Sequence, residues 1–383
     1  MILLVSLEKP VHEIPKQHRL GQPDTKRYRV LIKINSAGTY FKNLIEFHRS
    51  YRDYLKLFNK SVDDSDIDIV DDETGIPCAS IFSSTEEIKE INSDIVLIDA
   101  ISEGENILGK FMNLPRDKKY VLLTNGWFCA NNTHQNYSHI VWNYFLQRIS
   151  VNSNSPMSIE YWQKKQYEYS INKQNIFCCL VGKKRPERDI FSQSLLKFGQ
   201  GMSYIFTYDS KDLAYQSRKY DVNCDFSKYD TYESLLDYTH YSISNTIPID
   251  LYNTCRFNLI VETNINHVFG EFHLTEKIIK PMIVGMPFVL MASPGYLEQL
   301  KSLGFKTFES VWDESYDKIE KFEDRLQAIM NLILFLNNKF NWITNLSKIQ
   351  EITDHNRMNF MYNTSIHEKQ IINFAKIITK SCS

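Results

Sequence analysis

Between Arg256 and Pro294 the chain reads RFNLIVETNINHVFGEFHLTEKIIKPMIVGMPFVLMASP, and its chemistry-bearing residues cluster in the middle. An apolar run over 257–261 ends on Glu262 and Thr263, and a polar loop with Gly270 follows. Thr275 then stands where it would cap a helix whose first turn holds Glu276 and Lys277, and Gly285 closes that helix before a second apolar run at 287–291. A strand feeding a loop and a helix N-terminus binds anions, because unpaired amide N–H groups and the positive end of the helix dipole point the same way. Lys277 adds a full positive charge, so phosphate is the natural ligand. The bland alternative uses the same residues as an exposed first helical turn, with Glu276 placed there for the dipole.

The elements that must hold such a site follow from periodicity. In the first half, strands are predicted at 29–34 (RVLIKI), 95–98 and 120–123, and helices at 40–58, 86–91 and 134–149. The stretch VDDSDIDIVDDETG reads as an acidic loop, since like-charge runs are usually solvated. NSNSP at 152–156 is the best boundary signal. Beyond it, strands are predicted at 176–182, 204–207 and 305–308, and helices at 295–303, 318–338, 348–360 and 366–379. Pro281 is expected to kink the helix that carries Lys277 into two halves. Short buried strands alternating with helices predict an α/β protein with parallel sheets flanked by helices.

Composition limits the function classes. With 383 residues the chain is long enough for two domains, and a net charge of −2 gives no sign of a nucleic-acid partner. The domains expected are 1–155, 156–345, and a C-terminal helical segment 346–383. Seven cysteines, an odd number without a C-x-x-C pair, argue against a zinc site or a disulfide framework. The opening MILLVSL is short for a signal peptide, and no run approaches the ~20 apolar residues of a membrane helix. A soluble protein of a reducing, cytoplasmic compartment is expected.

Three blocks together resemble a known family. CRFNLIVET is similar to the Y-K-F-x-L-x-F-E-N segment of the alpha-(1,3)-fucosyltransferases. HLTEKIIKPMIVGMPFVLMASP is similar to their Y-V-T-E-K-I-x-x-A…P-I-x-W-G-S-P block, and FCCLVGKKRPERDIF to their F-x-x-S-N…R-N-x-F segment. The blocks occur in the family's order between Phe177 and about Pro294, and the first half of the chain shows no comparable match. The resemblance implies two Rossmann-like domains facing across a cleft (GT-B-like), with the C-terminal helices packing back on the first. It also implies a nucleotide-sugar donor of the GDP-fucose kind, a glycan or other hydroxyl acceptor, and inverting transfer with no cofactor or metal.

It further implies that Arg188, Glu276 and Lys277 contact the donor. Arginine offers phosphate a bidentate fork and lysine a point charge, whereas an ionised Glu276 only accepts hydrogen bonds and so suits ribose hydroxyls. Arg188 also reads as a solvated helix charge among Lys183, Lys184, Arg185 and Glu187. Arg256, before the strand, would pair with Glu262 or reach the diphosphate, and Glu262 also suits a structural acceptor at a strand end. His273 stands where the family usually has tyrosine, next to the Thr275 cap.

Competing chemistry lies upstream. Asp64-Ser65-Asp66 and Asp66-Ile67-Asp68 are D-x-D pairs of the kind that hold a divalent metal against a diphosphate in other glycosyltransferases. An acceptor base should come from loops at the carboxyl ends of the first-domain strands. Glu103 is the first choice there, with Asp99, Glu105, Asn125, Trp127, Glu46, His134 and His139 as alternatives. A metal-dependent transferase and a catalytically inactive nucleotide- or sugar-binding protein remain open as functions.

Overall fold

The computed structural model describes residues 29–35, 45, 66–80, 83, 85–100, 114–115, 117–124, 126–127, 137–141, 166–170, 172–173, 175–181, 185–196, 204–208, 215–219, 247, 249–265, 272–362 and 365–382. In chain order the first elements are β1 (Arg29–Asn35), β2 (Asp66–Asp71), β3 (Ile76–Ser80), α1 (Thr85–Glu90), β4 (Ile95–Ala100), β5 (Lys119–Thr124), β6 (Gly126–Trp127) and β7 (Tyr137–Val141). Then come β8 (Asn175–Cys178), α2 (Pro186–Leu196), β9 (Tyr204–Tyr208), β10 (Tyr215–Lys219), α3 (Ile249–Thr254), β11 (Cys255–Val261), β12 (Phe272–His273), α4 (Glu276–Val284) and β13 (Phe288–Met291). The chain closes with α5 (Tyr296–Ser302), α6 (Phe322–Asn338), α7 (Trp342–Tyr362) and α8 (Ser365–Cys382). It divides into two compact units, one of Met1–Asn125, Ala130–Asn152 and Thr364–Ser383, the other of Gly126–Cys129 and Ser153–Asn363.

The first unit is built on a parallel sheet of order β2-β1-β3-β4-β5-β7. Its central strands β4 and β5 are apolar on both sides, so their successive residues feed two cores. Leu97, Val121, Leu123 and Ile140 pack with Ile371, Phe374, Ala375 and Ile378 of α8. Val96, Ile98, Tyr120 and Leu122 pack on the other side with Ile88 of α1. Each fully buried aliphatic or aromatic side chain stabilises by about 1.5–3 kcal/mol. At the turn into β3, a Cβ on Gly75 would lie 2.5 Å from the Ile34 amide nitrogen. Gly75→Ala is therefore expected to destabilise this unit by about 1–3 kcal/mol, read as an earlier urea midpoint.

Three local expectations are corrected. The acidic stretch is not all loop: 66–71 forms the edge strand β2, with Ile69 opposite Ile32 and both buried. Period-two alternation, Asp-Ile-Asp-Ile, outweighs the charge because an edge strand needs only one covered face. The helix expected over 134–149 contains strand β7, recruited by the open edge of β5. The strand expected at 305–308 does not form. There the Lys306 and Phe308 amides donate to the side chains of Asn356, at 2.7 Å, and Glu314, at 2.9 Å, instead of to a neighbouring strand. Of the helix expected at 40–58 only Ile45 is described, and it is helical and buried.

In the second unit β13, β11 and β8 form a parallel sheet of that order. The strand expected at 204–207 is β9, which pairs antiparallel with β10. Every residue of β8 and β13 is buried, as befits a sheet covered on both faces. α7 packs on α4, so among the C-terminal helices α8 alone joins the first unit. α4 is one helix through Pro281, with 278–284 buried, not two halves. The proline lies in its last turn and removes a single donor, and Gly285 closes the helix at φ 80° while the Met286 amide returns to the Pro281 carbonyl at 2.8 Å. Among the described residues no helix is long and apolar enough to cross a membrane.

Candidate functional site

β11 and α4 deliver the site. Parallel pairing carries β11 to Val261 opposite Met291, and the Glu262 amide still donates to the Met291 carbonyl at 2.9 Å. The four carbonyls that follow are then taken by side chains. Arg188 gives Nε and Nη2 to the Glu262 carbonyl at 3.2 and 3.0 Å, and Arg185 reaches that of Thr263 at 3.5 Å. Ser293 donates to the Asn264 carbonyl at 2.9 Å, and the buried Arg325 to that of Ile265. Hydrogen bonds with a charged partner contribute about 1.5–3 kcal/mol each, so this exit from the strand is rigidly held.

The N-terminus of α4 lies against it. Thr275, extended at φ −121°, accepts the Lys277 amide on Oγ1 at 3.2 Å, which is an N-cap. The Lys277 ammonium contacts Glu276 Oε1 at 3.0 Å, Thr263 Oγ1 at 3.2 Å and Thr275 Oγ1 at 3.4 Å. Neighbouring residues on a helix normally diverge. Here Glu276 and Lys277 turn to the same place, with 21% and 22% of their side chains exposed. Burial pulls the Glu276 carboxyl upward, but the Lys277 and Lys280 charges and the Lys277 hydrogen bond hold it at about 2, so it is ionised.

Behind this pair sits Glu262, 1% exposed. Its carboxylate accepts the Thr275 hydroxyl at 2.7 and 2.9 Å, its neighbour's Thr263 amide at 3.1 Å, and the Tyr296 hydroxyl at 3.4 Å. Burial pushes the Glu262 carboxyl up, opposed by the Lys277 charge and the Thr275 hydrogen bond. Tyr296 shares its one hydrogen with the His273 carbonyl, the nearer acceptor at 3.0 Å, and burial pushes its phenol well up, which keeps it a donor.

The structure thus brings Arg188, Glu262, His273, Thr275, Glu276 and Lys277 into one neighbourhood, with different tasks. Arg188, 3% exposed, is turned onto the end of β11 and is not a solvated helix charge. Arg256 is elsewhere. It is the second residue of β11, six residues before Glu262, and a strand rising ~3.3 Å per residue puts about 20 Å between them. Its guanidinium lies 5.5 Å from the centre of the Trp342 ring, in a recess lined also by Tyr167, Tyr169 and Pro287. It does not pair with Glu262, because the two residues occupy opposite ends of one strand.

Arg185 and Tyr296 are the residues that sequence reading passed over. Arg185 had a signal, an arginine one helical turn before Arg188; Tyr296, 34 residues from its partner Glu262, had none. In the first unit Asp99 is buried at the end of β4. Trp127 lies in β6, which pairs antiparallel with β12 within the second unit, while Asn125, Glu103, Glu105, Glu46, His134 and Asp64 lie outside the described residues. His139 lies within β7 and Asp66 and Asp68 within β2.

No protein-family model matches the chain, and no curated protein sequence matches it. Among solved structures it is similar to an alpha1,3-fucosyltransferase at 12% identity, over 86% of this chain and 89% of that one, with a TM-score of 0.38. It is also similar to AviGT4, a glycosyltransferase involved in avilamycin A biosynthesis, at 9% identity, over 90% of this chain and 98% of that one, with a TM-score of 0.29.

Proposed function

We propose that the chain is a glycosyltransferase that moves a sugar from a nucleotide-sugar donor to a hydroxyl acceptor, with inversion and without a metal. The observation that supports this most is the meeting of Lys277, Glu276, Thr275 and Thr263 at the N-terminus of α4, beside the end of β11. The three blocks that resemble fucosyltransferases supply these residues. In this reading the diphosphate lies on the first turn of α4 against Lys277, with Arg185 as the second cation. Glu276 accepts hydrogen bonds from the ribose. Arg188 acts behind them by holding the strand end.

The acceptor oxygen attacks the anomeric carbon as the bond from that carbon to the diphosphate breaks. The diphosphate leaves with the electron pair, and the acceptor proton passes to a carboxylate, assigned to Glu103. Charge grows on the diphosphate as the bond breaks, and a positioned donor to such charge contributes ~2.7–4 kcal/mol. The donor is GDP-fucose or a close relative, and the acceptor a glycan or another hydroxyl compound.

A thermal-shift screen against UDP, GDP, CDP and their sugar conjugates tests this. Ligand at ~100 times its dissociation constant adds about 2.7 kcal/mol of stability, so a clear rise in Tm is expected with one nucleotide class. The shift and any donor turnover are expected to survive EDTA. Silence with every nucleotide would sink the proposal, while binding without hydrolysis or transfer would leave a nucleotide-binding protein and no enzyme.

A further inference from the structure

We propose that Glu262 and Tyr296 are positioning residues for Lys277, acting through the Thr275 hydroxyl and never touching the ligand. This rests on the donor site described above. The Thr275 oxygen meets three groups at once: the Glu262 carboxylate at 2.7 Å, the Lys277 amide at 3.2 Å and the Lys277 ammonium at 3.4 Å. A hydroxyl has one hydrogen and two lone pairs. The Lys277 amide and ammonium can only donate, so they take both lone pairs, and the hydrogen is left for the Glu262 carboxyl to accept. The direction of the Thr275 dipole is therefore held by Glu262 as its acceptor.

Tyr296 sets Glu262 in turn. Its hydroxyl lies 3.4 Å from Oε1 and 3.0 Å from the His273 carbonyl, which ties the carboxylate to β12. Its ring packs on Phe272 with centroids 4.5 Å apart, and residue and ring are 1% exposed. Glu262 is likewise 1% exposed and has its contacts inside the protein, so its carboxyl faces Lys277 and Thr275 and not a bound diphosphate. One buried carboxylate thereby fixes both the cap of α4 and the lysine that the cap presents.

A double-mutant cycle in nucleotide affinity tests the assignment, with UDP and GDP as probes in calorimetric titrations. Glu262→Gln keeps the shape but brings an amide N–H₂ that can donate to Thr275 and reverse the dipole. It is expected to weaken binding about tenfold, and Lys277→Ala about a hundredfold. Because Glu262 acts through Lys277, the double variant should bind no worse than Lys277→Ala alone. A merely structural role would multiply the two losses, and that result would overturn the proposal, as would wild-type affinity in Glu262→Gln. Tyr296→Phe, which keeps the contact with Phe272, should lose about threefold and show the same non-additivity with Lys277→Ala; it carries the test if Glu262→Gln does not fold. If the wild type binds neither nucleotide, the donor site itself is overturned. If it binds and the losses multiply, only the positioning role falls.

Discussion

Lys277→Ala is expected to weaken nucleoside diphosphate binding about a hundredfold while the ligand-free protein melts within a few degrees of wild type. The two halves of this expectation have separate physical grounds. The ammonium is the one full charge in the first turn of α4 that meets Thr263, Thr275 and Glu276 together. Its loss removes a charge-assisted contact to phosphate, about 1.5–3 kcal/mol, and leaves the Glu276 carboxylate to repel the anion. Stability depends little on it. The cap uses the Lys277 backbone amide, which alanine keeps, and the helix is anchored by its buried residues 278–284. The lost ion pair keeps about a fifth of each side chain exposed, and its loss costs about 1–2 kcal/mol, a few degrees in Tm. Glu276→Ala should also lose affinity for nucleoside diphosphates yet bind inorganic pyrophosphate as well as wild type or better. Wild-type nucleotide affinity in Lys277→Ala would remove the donor-site assignment.

The second large effect is on stability and depends on pH. Glu314 accepts the Phe308 amide on Oε1 at 2.9 Å, and its Oε2 is buried. Burial pushes its carboxyl from 4.5 to about 7, against the Thr307 and Phe308 hydrogen bonds and the pull of Lys301, and burial pushes Asp317 from 3.8 to about 6 against the Leu297, Glu298 and Tyr296 amides. A carboxyl whose folded value is raised holds its proton in the native state after the unfolded chain has released it. Its stabilising contribution is complete below about pH 4.5 and drains away as pH rises through about 7. Glu314→Gln retains an acceptor for Phe308 and carries no charge. At pH 8 it is expected to stabilise the protein by roughly 2–3 kcal/mol, a rise in Tm of about 5–10 °C, and at pH 5 to change it little. Melting curves of the two proteins at both pH values decide this; an equal gap at pH 5 and pH 8 would show that burial of the charge is not the cause.

Some of the candidate site was legible in the residues because its signals are local. Thr275, Glu276, Lys277 and Gly285 announce a capped helix within eleven positions, and in the structure Thr275 caps it, Glu276 and Lys277 form its first turn and Gly285 closes it. The continuous apolar runs at 95–98, 120–123, 257–261 and 287–291 likewise became buried parallel strands, since only a sheet covered on both faces uses such runs. Where charge and period disagreed, at 66–71, the period decided, and where an open strand edge was available, at 137–141, pairing overrode the helical reading.

What the amino-acid sequence determined by itself is therefore an α/β chain with a capped helix N-terminus that carries Glu276 and Lys277, because propensity, period and capping act within a few residues. Which groups stand behind that N-terminus was decided only in three dimensions. Arg188, Ser293 and Arg325 meet the carbonyls after β11 across separations of 74, 29 and 60 residues, and Tyr296 meets Glu262 across 34. Arg256, the nearest basic residue before the strand, is excluded from that company by lying at its other end. Sheet register and strand direction settle such meetings, and a separation along the chain carries no record of either.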